Sequence, residues 1–503
     1  MEQILKYGVL GAYILCCLVL IFYAYHYYLI TFIFLKKHRK KRDENSRLVE
    51  QFNENRSDAE YPMVTLQLPI YNEAEVAVRL IKSAITLDYP RDRFEIQVLD
   101  DSTDETKALI DEAAEEIKAK GFDISVVRRD TRQDYKAGAL KHAMPFAKGE
   151  YLAMFDSDFI IQPDFLKRSV ALIHPFENVA CVQGRWEHLN RNENWLTRVQ
   201  ATALDAHFAT EQGARYYSDL CLNFNGTGGI WRASAIEEAG GWQGDTLTED
   251  QDLSYRVQMN GRKMVYDFDL KCPAELPNNV VALKSQQRRW AKGSMETAIK
   301  LLPQIIRCKN LNVSQKIEAF MHLTHYIGAP IMVLLSILTL PMLHYLKQID
   351  PPAGLLIFWV VAMIGAFAPG FMYGCSGYIV HGKFSSFRSF PSMVALGTGL
   401  CINNTIAVLE AWRGQKSEFV RTPKSGSTAG KSQKGRYKAI SGKRLAVMEI
   451  ILGLYCLYTF CGQYLSLSRN CLYGFFIGAY AFGLIVFGMT TLKYIIQAKK
   501  LQV

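Results

Sequence analysis

The chain has 503 residues, enough for more than one domain, and 49% of them are apolar. Its formal net charge is +10, from 58 basic against 48 acidic side chains. The basic residues flank long apolar stretches rather than interleave with exposed aromatics, which argues against a nucleic-acid partner, and the eleven cysteines show neither the spacing of a zinc site nor that of a disulfide framework.

Residues 8–35 contain no Lys, Arg, Asp or Glu, and comparable stretches recur at 319–346, 354–380, 445–467 (broken only by Glu449) and 471–492. Each is long enough to cross a hydrocarbon core of ~30 Å as a helix, so five spans are expected. The first is too long, and lacks the basic leader, for a cleavable signal peptide. Lys36-Lys-His-Arg-Lys-Lys-Arg42 follows it, and 413–444 holds ten Lys/Arg against one Glu. Basic flanks stay on the cytoplasmic side and attract anionic headgroups. The sequence therefore predicts a multi-pass protein of a plasma or inner membrane, with 43–318, 381–444 and the C-terminus cytoplasmic. Residues 36–61 are expected as a basic linker, with 43–60 a linker or an exposed helix, and 381–444 as an interfacial helix and loop.

From residue 62 short apolar runs alternate with helical stretches. Strands are expected at 64–70, 94–99, 124–127, 151–155 and 178–183, with helices over roughly 74–87 and up to about 119 between them. That alternation predicts an α/β domain with a mostly parallel sheet, whose ligands collect beyond the carboxyl ends of the strands. Those ends carry Tyr71-Asn72-Glu73, Asp100-Asp101 and Asp156-Ser157-Asp158 in turn. Two carboxylates at a strand end suit a hard divalent cation, Mg²⁺ or Mn²⁺, although a lone Asp-x-Asp is usually a polar turn. Ser102 and Thr103 read equally well as helix caps, and no dinucleotide-type glycine spacing follows them. Lys136, before small residues at a helix start, can reach a phosphate. Phe224-Asn-Gly-Thr-Gly-Gly229 is a glycine-rich turn, tight in itself or open to a ligand. Thr248 and Gln251 form a plausible capping box for a helix that Asn260-Gly261 closes, which would give Asp250 a purely structural role. Gln286-Gln-Arg-Arg-Trp-Ala-Lys292 fits a cationic amphipathic helix at headgroup level.

The joint order of these segments resembles the Asp, Asp-x-Asp, Thr-Glu-Asp and Gln-x-x-Arg-Trp set of membrane-embedded family-2 glycosyltransferases, the cellulose synthase superfamily. The likeness is greatest to the cellulose-synthase-like A and C families, which make β-1,4-mannan and β-1,4-glucan backbones. It rests also on Tyr135-Lys-Ala-Gly-Ala-Leu-Lys141, Val182-Gln-Gly-Arg-Trp-Glu187, Phe224-Asn-Gly-Thr-Gly-Gly-Ile-Trp-Arg232 and Glu238-Ala-Gly-Gly-Trp242, and covers about 62–425. It implies a GT-A, Rossmann-like catalytic domain inserted between transmembrane helices. The resemblance places Asp101, with Asp100 second, at the base and ribose of a nucleotide sugar, beside Tyr71 and Glu73. Lys136 would meet the diphosphate, Gln286 and Arg289 the diphosphate or the acceptor end, and Asp158 with Asp156 would hold Mg²⁺ or Mn²⁺. Asp250, next to Glu249, would be the general base of a single inverting displacement. Trp290 and the loop Phe224, Asn225, Gly226 and Thr227 would line a growing polysaccharide acceptor. Phe419-Val-Arg-Thr-Pro-Lys424 is similar to the gating loop of bacterial cellulose synthase, with Phe419, Thr422 and Lys424 in register and Arg421 departing from its valine.

The expected activity is a processive synthase that exports a β-linked glucan or mannan, with UDP-glucose or GDP-mannose as donor. A non-processive enzyme adding one sugar to a lipid acceptor is the alternative, and a silent scaffold subunit the third reading. Nothing in the sequence names an accessory subunit or shows which aromatic residues of the spans would line a channel.

Overall fold

The computed structural model describes residues 1–54, 56–346, 348, 353–417, 442–465 and 471–500. Seven strands form one sheet: β1 (Val64–Ile70), β2 (Phe94–Asp100), β3 (Ile124–Val127), β4 (Tyr151–Met154), β5 (Val179–His188), β6 (Gly229–Arg232) and β7 (Lys263–Ala274). Their spatial order is β3-β2-β1-β4-β6-β5-β7. β1 runs parallel to β2 and β4, β2 to β3, and β5 to β7, whereas β6 is antiparallel to both its neighbours. The sheet is thus mostly parallel, as expected, but β6 and β7 are strands that a search for short apolar runs does not find. β7 has a different signature, an apolar residue at every second position: Met264, Tyr266, Phe268, Leu270, Cys272 and Ala274 are all buried, with Val265 the one apolar residue of the central run in the other register.

Alternation also divides the core between the two faces of the sheet. Val64, Leu66, Leu68 and Ile70 of β1 join Ile96 and Val98 of β2 on one face, while Leu152 and Met154 of β4 join Leu99 on the other. The described cysteines are free thiols, most of them buried in this packing.

Of the segment 36–61, expected as a linker with an exposed helix as the alternative over 43–60, residues 36–53 are the last third of one continuous helix, Glu2–Asn53. At 1.5 Å per residue its 52 residues reach ~78 Å, more than twice a membrane core. Beyond the basic run it lies on the α/β domain. Leu48, Val49 and Phe52 pack on the sheet core, and Asn45 donates from Nδ2 to the Tyr266 carbonyl at 3.2 Å. Arg42 pairs with Asp269 at 2.7 Å. Charge there marks a solvent face, not an end of structure.

Among the described residues six helices, not five, are long and apolar enough to cross a membrane. The sixth, Phe390–Trp412, falls in the segment expected to be interfacial. It is 67% buried in protein over its apolar window, against 17–39% for the others. Met393, Leu396 and Leu400 pack on Leu196, Val199 and Leu283, and Asn403 donates to the Lys284 carbonyl at 3.1 Å. Further along, Glu410 pairs with Arg288, and Lys292 donates to the Gln415 carbonyl. The helix therefore lies beside Val280–Arg307, and its other apolar residues, Cys401 and Ile402 among them, pack on Leu445, Cys456, Ile477 and Leu484 of the last two helices.

Lys284 is the node of this region. Its ammonium, fully buried, bonds Glu449 Oε2 at 2.6 Å and Thr491 Oγ1 at 2.7 Å, which explains the one charge interrupting the 445–467 stretch. Removing one partner of a buried pair strands the other charge. Lys284→Met is expected to lower stability by about 3–5 kcal/mol, seen as a fall in melting temperature, while Lys284→Met/Glu449→Leu recovers most of it.

Candidate active site

A cleft opens beyond the carboxyl ends of the strands. Around it the fold brings together Tyr71 and Glu73 after β1, Asp101 after β2, Asp156 and Asp158 after β4, and Lys136 from the Tyr135–Ala143 helix. Asn225 and Gly226, Glu249 and Asp250, and Gln286, Arg289 and Trp290 close the other side. These residues come from segments up to 219 positions apart in the chain (Tyr71 to Trp290).

Three residues expected in the site do not line this cleft. Asp100 shares the face of Val98 and is fully buried, accepting from the Ser102 N–H at 2.9 Å and from Arg128 at 2.8 Å. Phe224 is buried edge-on against Trp231. Thr227 is buried beneath the Asp156 turn, where its hydroxyl accepts from the Asp156 N–H at 2.8 Å. These positions support the site from behind. Phe419, Thr422 and Lys424 lie outside the described residues.

The 222–228 loop and the helix carrying Asp250 are sewn together. Ser254 accepts from the Phe224 N–H at 2.8 Å and donates to the Asp250 carbonyl at 2.6 Å. Gln258 exchanges two bonds with the Leu222 backbone, and Gln183 of β5 holds the Asn225 N–H and the Thr227 and Gly228 carbonyls. The expected Thr248 cap does not form: Thr248 Oγ1 instead meets Thr297 Oγ1 at 3.2 Å, beside Gly293. Asp250 is thus positioned by tertiary contacts more than by capping chemistry.

Gly226 is where the loop needs glycine. Its φ is +82°, and a Cβ there would stand 3.0 Å from Asp250 Oδ2. Its carbonyl accepts from Lys136 Nζ at 2.7 Å, and the same ammonium bonds Asp156. Gly226→Ala is expected to push the Asp250 carboxylate aside and cut turnover by about 10²-fold, with ligand binding retained in an equilibrium assay.

Reading the sequence missed the basic segment after β3. Arg129 grips both oxygens of Asp101, at 2.8 and 2.6 Å, and the Arg132 guanidinium lies 3.4 Å from the centre of the Tyr71 ring. Val127-Arg128-Arg129 follows a strand end like the others, so the same rule would have found it. The ends of β5 and β7 add Trp186, His188 and Glu275 to the cleft wall.

The electrostatics are asymmetric. Burial, and then the neighbouring Glu249 charge, push Asp250 up to about 7, against the pull of the Gln251 N–H, Lys136 and Arg289. Glu249 is raised as well, chiefly by burial. Burial opposes the Lys136 ammonium, but Asp156, Glu249 and Asp250 together hold its pKa above the usual lysine range. Asp156 and Asp158 offer oxygen donors of the kind Mg²⁺ and Mn²⁺ prefer. Among the described residues no cluster of three or more His, Cys, Asp or Glu could hold a metal by itself. An ion here fits only if a diphosphate completes its shell, the usual situation for Mg²⁺.

A second cavity meets the cleft at Asp250, Trp290, Trp186 and Asn225 and continues along Tyr23 and Tyr27 of the first helix to His322, His325 and Tyr326. A polar chain borders it: Asn225 to His207 at 3.1 Å, His207 to Glu211 at 3.1 Å, Arg215 to Glu211 at 3.3 Å and to Glu318 at 2.8 Å, and His26 to Glu318 at 2.7 Å. Of the other aromatics on the spans, Tyr25 and Tyr28 turn away to the Val361 and Ile364 carbonyls, and Trp359 packs on Tyr13.

Residues 62–293 match the family model described as glycosyltransferase like family 2. Over 449 residues, 87% of this chain and 78% of the other, the sequence is 32% identical to glucomannan 4-beta-mannosyltransferase 7 of Arabidopsis thaliana. It is 42% identical over 268 residues to probable glucomannan 4-beta-mannosyltransferase 7 of Oryza sativa subsp. japonica. That match takes in 52% of this chain and spans about half, 46%, of the rice protein. Among solved structures, the mannosyltransferase PcManGT from Pyrobaculum calidifontis, in complex with GDP-Man and Mn²⁺, superposes with a TM-score of 0.49 at 18% identity, covering 78% of this chain and all of that one.

Proposed function

We infer the function of this chain from its membership of glycosyltransferase family 2, to which it belongs alongside the glucomannan 4-beta-mannosyltransferases, and from a GT-A, Rossmann-like α/β domain set among helices apolar enough to span a membrane. On that premise we propose that it polymerises a β-1,4-linked mannan from GDP-mannose and passes the chain across the membrane as it grows. The names of the relatives favour mannose over glucose. The observation that carries the reading is the meeting of the donor cleft and the second cavity at Asp250 and Trp290.

In this reading Asp101, Tyr71 and Glu73 seat the nucleoside, with Arg129 and Arg132 yielding or stacking as it enters. Lys136, Gln286 and Arg289 hold the diphosphate. Asp158 and Asp156 hold Mg²⁺ or Mn²⁺, which when bound offsets the charge left on the departing diphosphate. The acceptor sugar rests on Trp290 with its reacting hydroxyl at Asp250. Asp250 takes the proton as that oxygen attacks the anomeric carbon, and the nucleoside diphosphate leaves from the opposite face, inverting an α-linked donor to a β-linked product. Tyr23, Tyr27 and the His/Glu/Arg chain then receive the sugar already joined. The basic Lys36–Arg42 run and the α/β domain lie on the cytoplasmic side of the membrane.

Inside-out vesicles test export. With GDP-mannose outside, polymer that resists added β-mannanase until detergent is present supports the reading. Polymer digested without detergent contradicts export, and a single mannose on a lipid supports the lipid-acceptor alternative.

A further inference from the structure

The end of β7 presents a carboxylate that the mechanism above does not use. Glu275 is 3% exposed, and Arg79 pairs with its Oε1 at 2.7 Å. Its other oxygen, Oε2, is buried without a hydrogen-bond partner among the described residues. Beside it, at the end of β5, the His188 ring is 1% exposed. Its Nε2 pairs loosely with the buried Asp205 carboxylate, 3.4 Å away, while Nδ1 makes no hydrogen bond among the described residues. A buried polar atom without a partner costs about 1–3 kcal/mol, so an unpaired carboxylate oxygen and an unpaired ring nitrogen on residues lining one cleft call for an explanation.

Their placement supplies it. His188 opposes Ala274 in the β5–β7 ladder, the Leu189 N–H donates to the Ala274 carbonyl at 2.9 Å, and Asn190 accepts from the Leu276 N–H at 2.8 Å. The two side chains therefore stand on a rigid double strand end. The Glu275 N–H donates to the Asp158 carbonyl at 3.2 Å, and Arg79 reaches the same carbonyl at 3.5 Å, so the carboxylate is fixed to the turn that presents Asp158. Both residues line the donor cleft, and neither lines the second cavity. With Asp156 and Asp158 they make no metal cluster. A carboxylate and an imidazole facing inward in a partly apolar wall, with Leu276 and Pro277 beside them, match the hydroxyl pattern of a hexose.

We propose that Glu275 and His188 form a hydroxyl-binding subsite for the transferred hexose, and that Glu275 sets which hexose the donor carries. The inference deepens the function proposed above and rests on it. Glu275 Oε2 accepts from one or two sugar hydroxyls and His188 completes the pair, so an epimer with one hydroxyl turned away leaves the carboxylate unpaired.

The test uses the full chain in lipid nanodiscs and whichever of GDP-mannose and UDP-glucose the wild type consumes. For wild type, Glu275→Gln and His188→Asn, kcat/KM is measured for that donor and for its C2 epimer, with the inhibition constant of the free nucleoside diphosphate. Glu275→Gln is expected to lose about 10–100-fold in kcat/KM and to narrow the discrimination between epimers, while the diphosphate constant stays within about twofold. His188→Asn, which leaves the Arg79 pair intact, is expected to shift in the same direction. Unchanged discrimination in both variants overturns the proposal, as does a parallel loss of diphosphate binding, which marks a structural role through Arg79. If the wild type uses UDP-glucose, the mannosyl reading fails while this comparison still decides the subsite.

Discussion

Asp250→Asn is expected to reduce polymer formation by about 10³-fold while leaving donor affinity within a few-fold of wild type. Asparagine keeps the shape of the side chain beside Gly226 and removes only the proton acceptor, so the loss appears in kcat. The same assignment fixes a pH dependence. Asp250 is pushed up to about 7, by burial first and the adjacent Glu249 charge second. A base with a raised pKa is disabled as pH falls through that value, so kcat/KM should rise between about pH 6 and 8 and then level off. Glu249→Gln removes the repulsive neighbour and should move the acid limb to lower pH. A pH-rate profile with its acid limb unmoved in Glu249→Gln would contradict the electrostatic account of Asp250.

The second large effect concerns the Asp-x-Asp turn. Chelation of divalent ions should abolish turnover, and Mn²⁺ or Mg²⁺ should restore it. Asp158→Asn should lose at least about 10³-fold, about 4 kcal/mol at 1.36 kcal/mol per factor of ten, without recovery at high metal concentration. Asp156→Asn should differ in kind. Its carboxylate is already bonded to Lys136, so the variant loosens an ammonium that also holds the Gly226 carbonyl. Its defect should fall on diphosphate affinity as well as on turnover. Nucleotide titrations with and without metal separate the two.

The strand-end rule made much of the site legible in the sequence. Tyr71, Glu73, Asp101, Asp156 and Asp158 were each found because a short apolar run stops just before them, and all five line the cleft. The rule could have gone further, since strand alternation turns only one of two consecutive aspartates toward a given face. Asp100 follows Val98 into the core, and Asp101 follows Leu99 into the cleft. Phe224 and Thr227 show the limit of motif matching, which finds a loop but cannot tell the residues facing a ligand from those that brace them. β7 escaped notice because its apolar residues alternate instead of clustering. Glu275 goes with it, whereas Arg129 and Arg132 follow the end of β3, which the same rule reaches, and His188 sits where β5 runs on past the expected 178–183. The helix Phe390–Trp412 illustrates the reverse case: its apolar face serves protein packing, and hydropathy alone does not separate that use from contact with lipid.

The most direct measurement gives the purified protein, in lipid nanodiscs with Mn²⁺, either GDP-mannose or UDP-glucose and examines the product. The account predicts a long polymer from GDP-mannose alone, digested by β-mannanase and resistant to β-1,4-glucanase. Polymer from UDP-glucose, or nucleotide release from GDP-mannose with no chain longer than one added sugar, would contradict it.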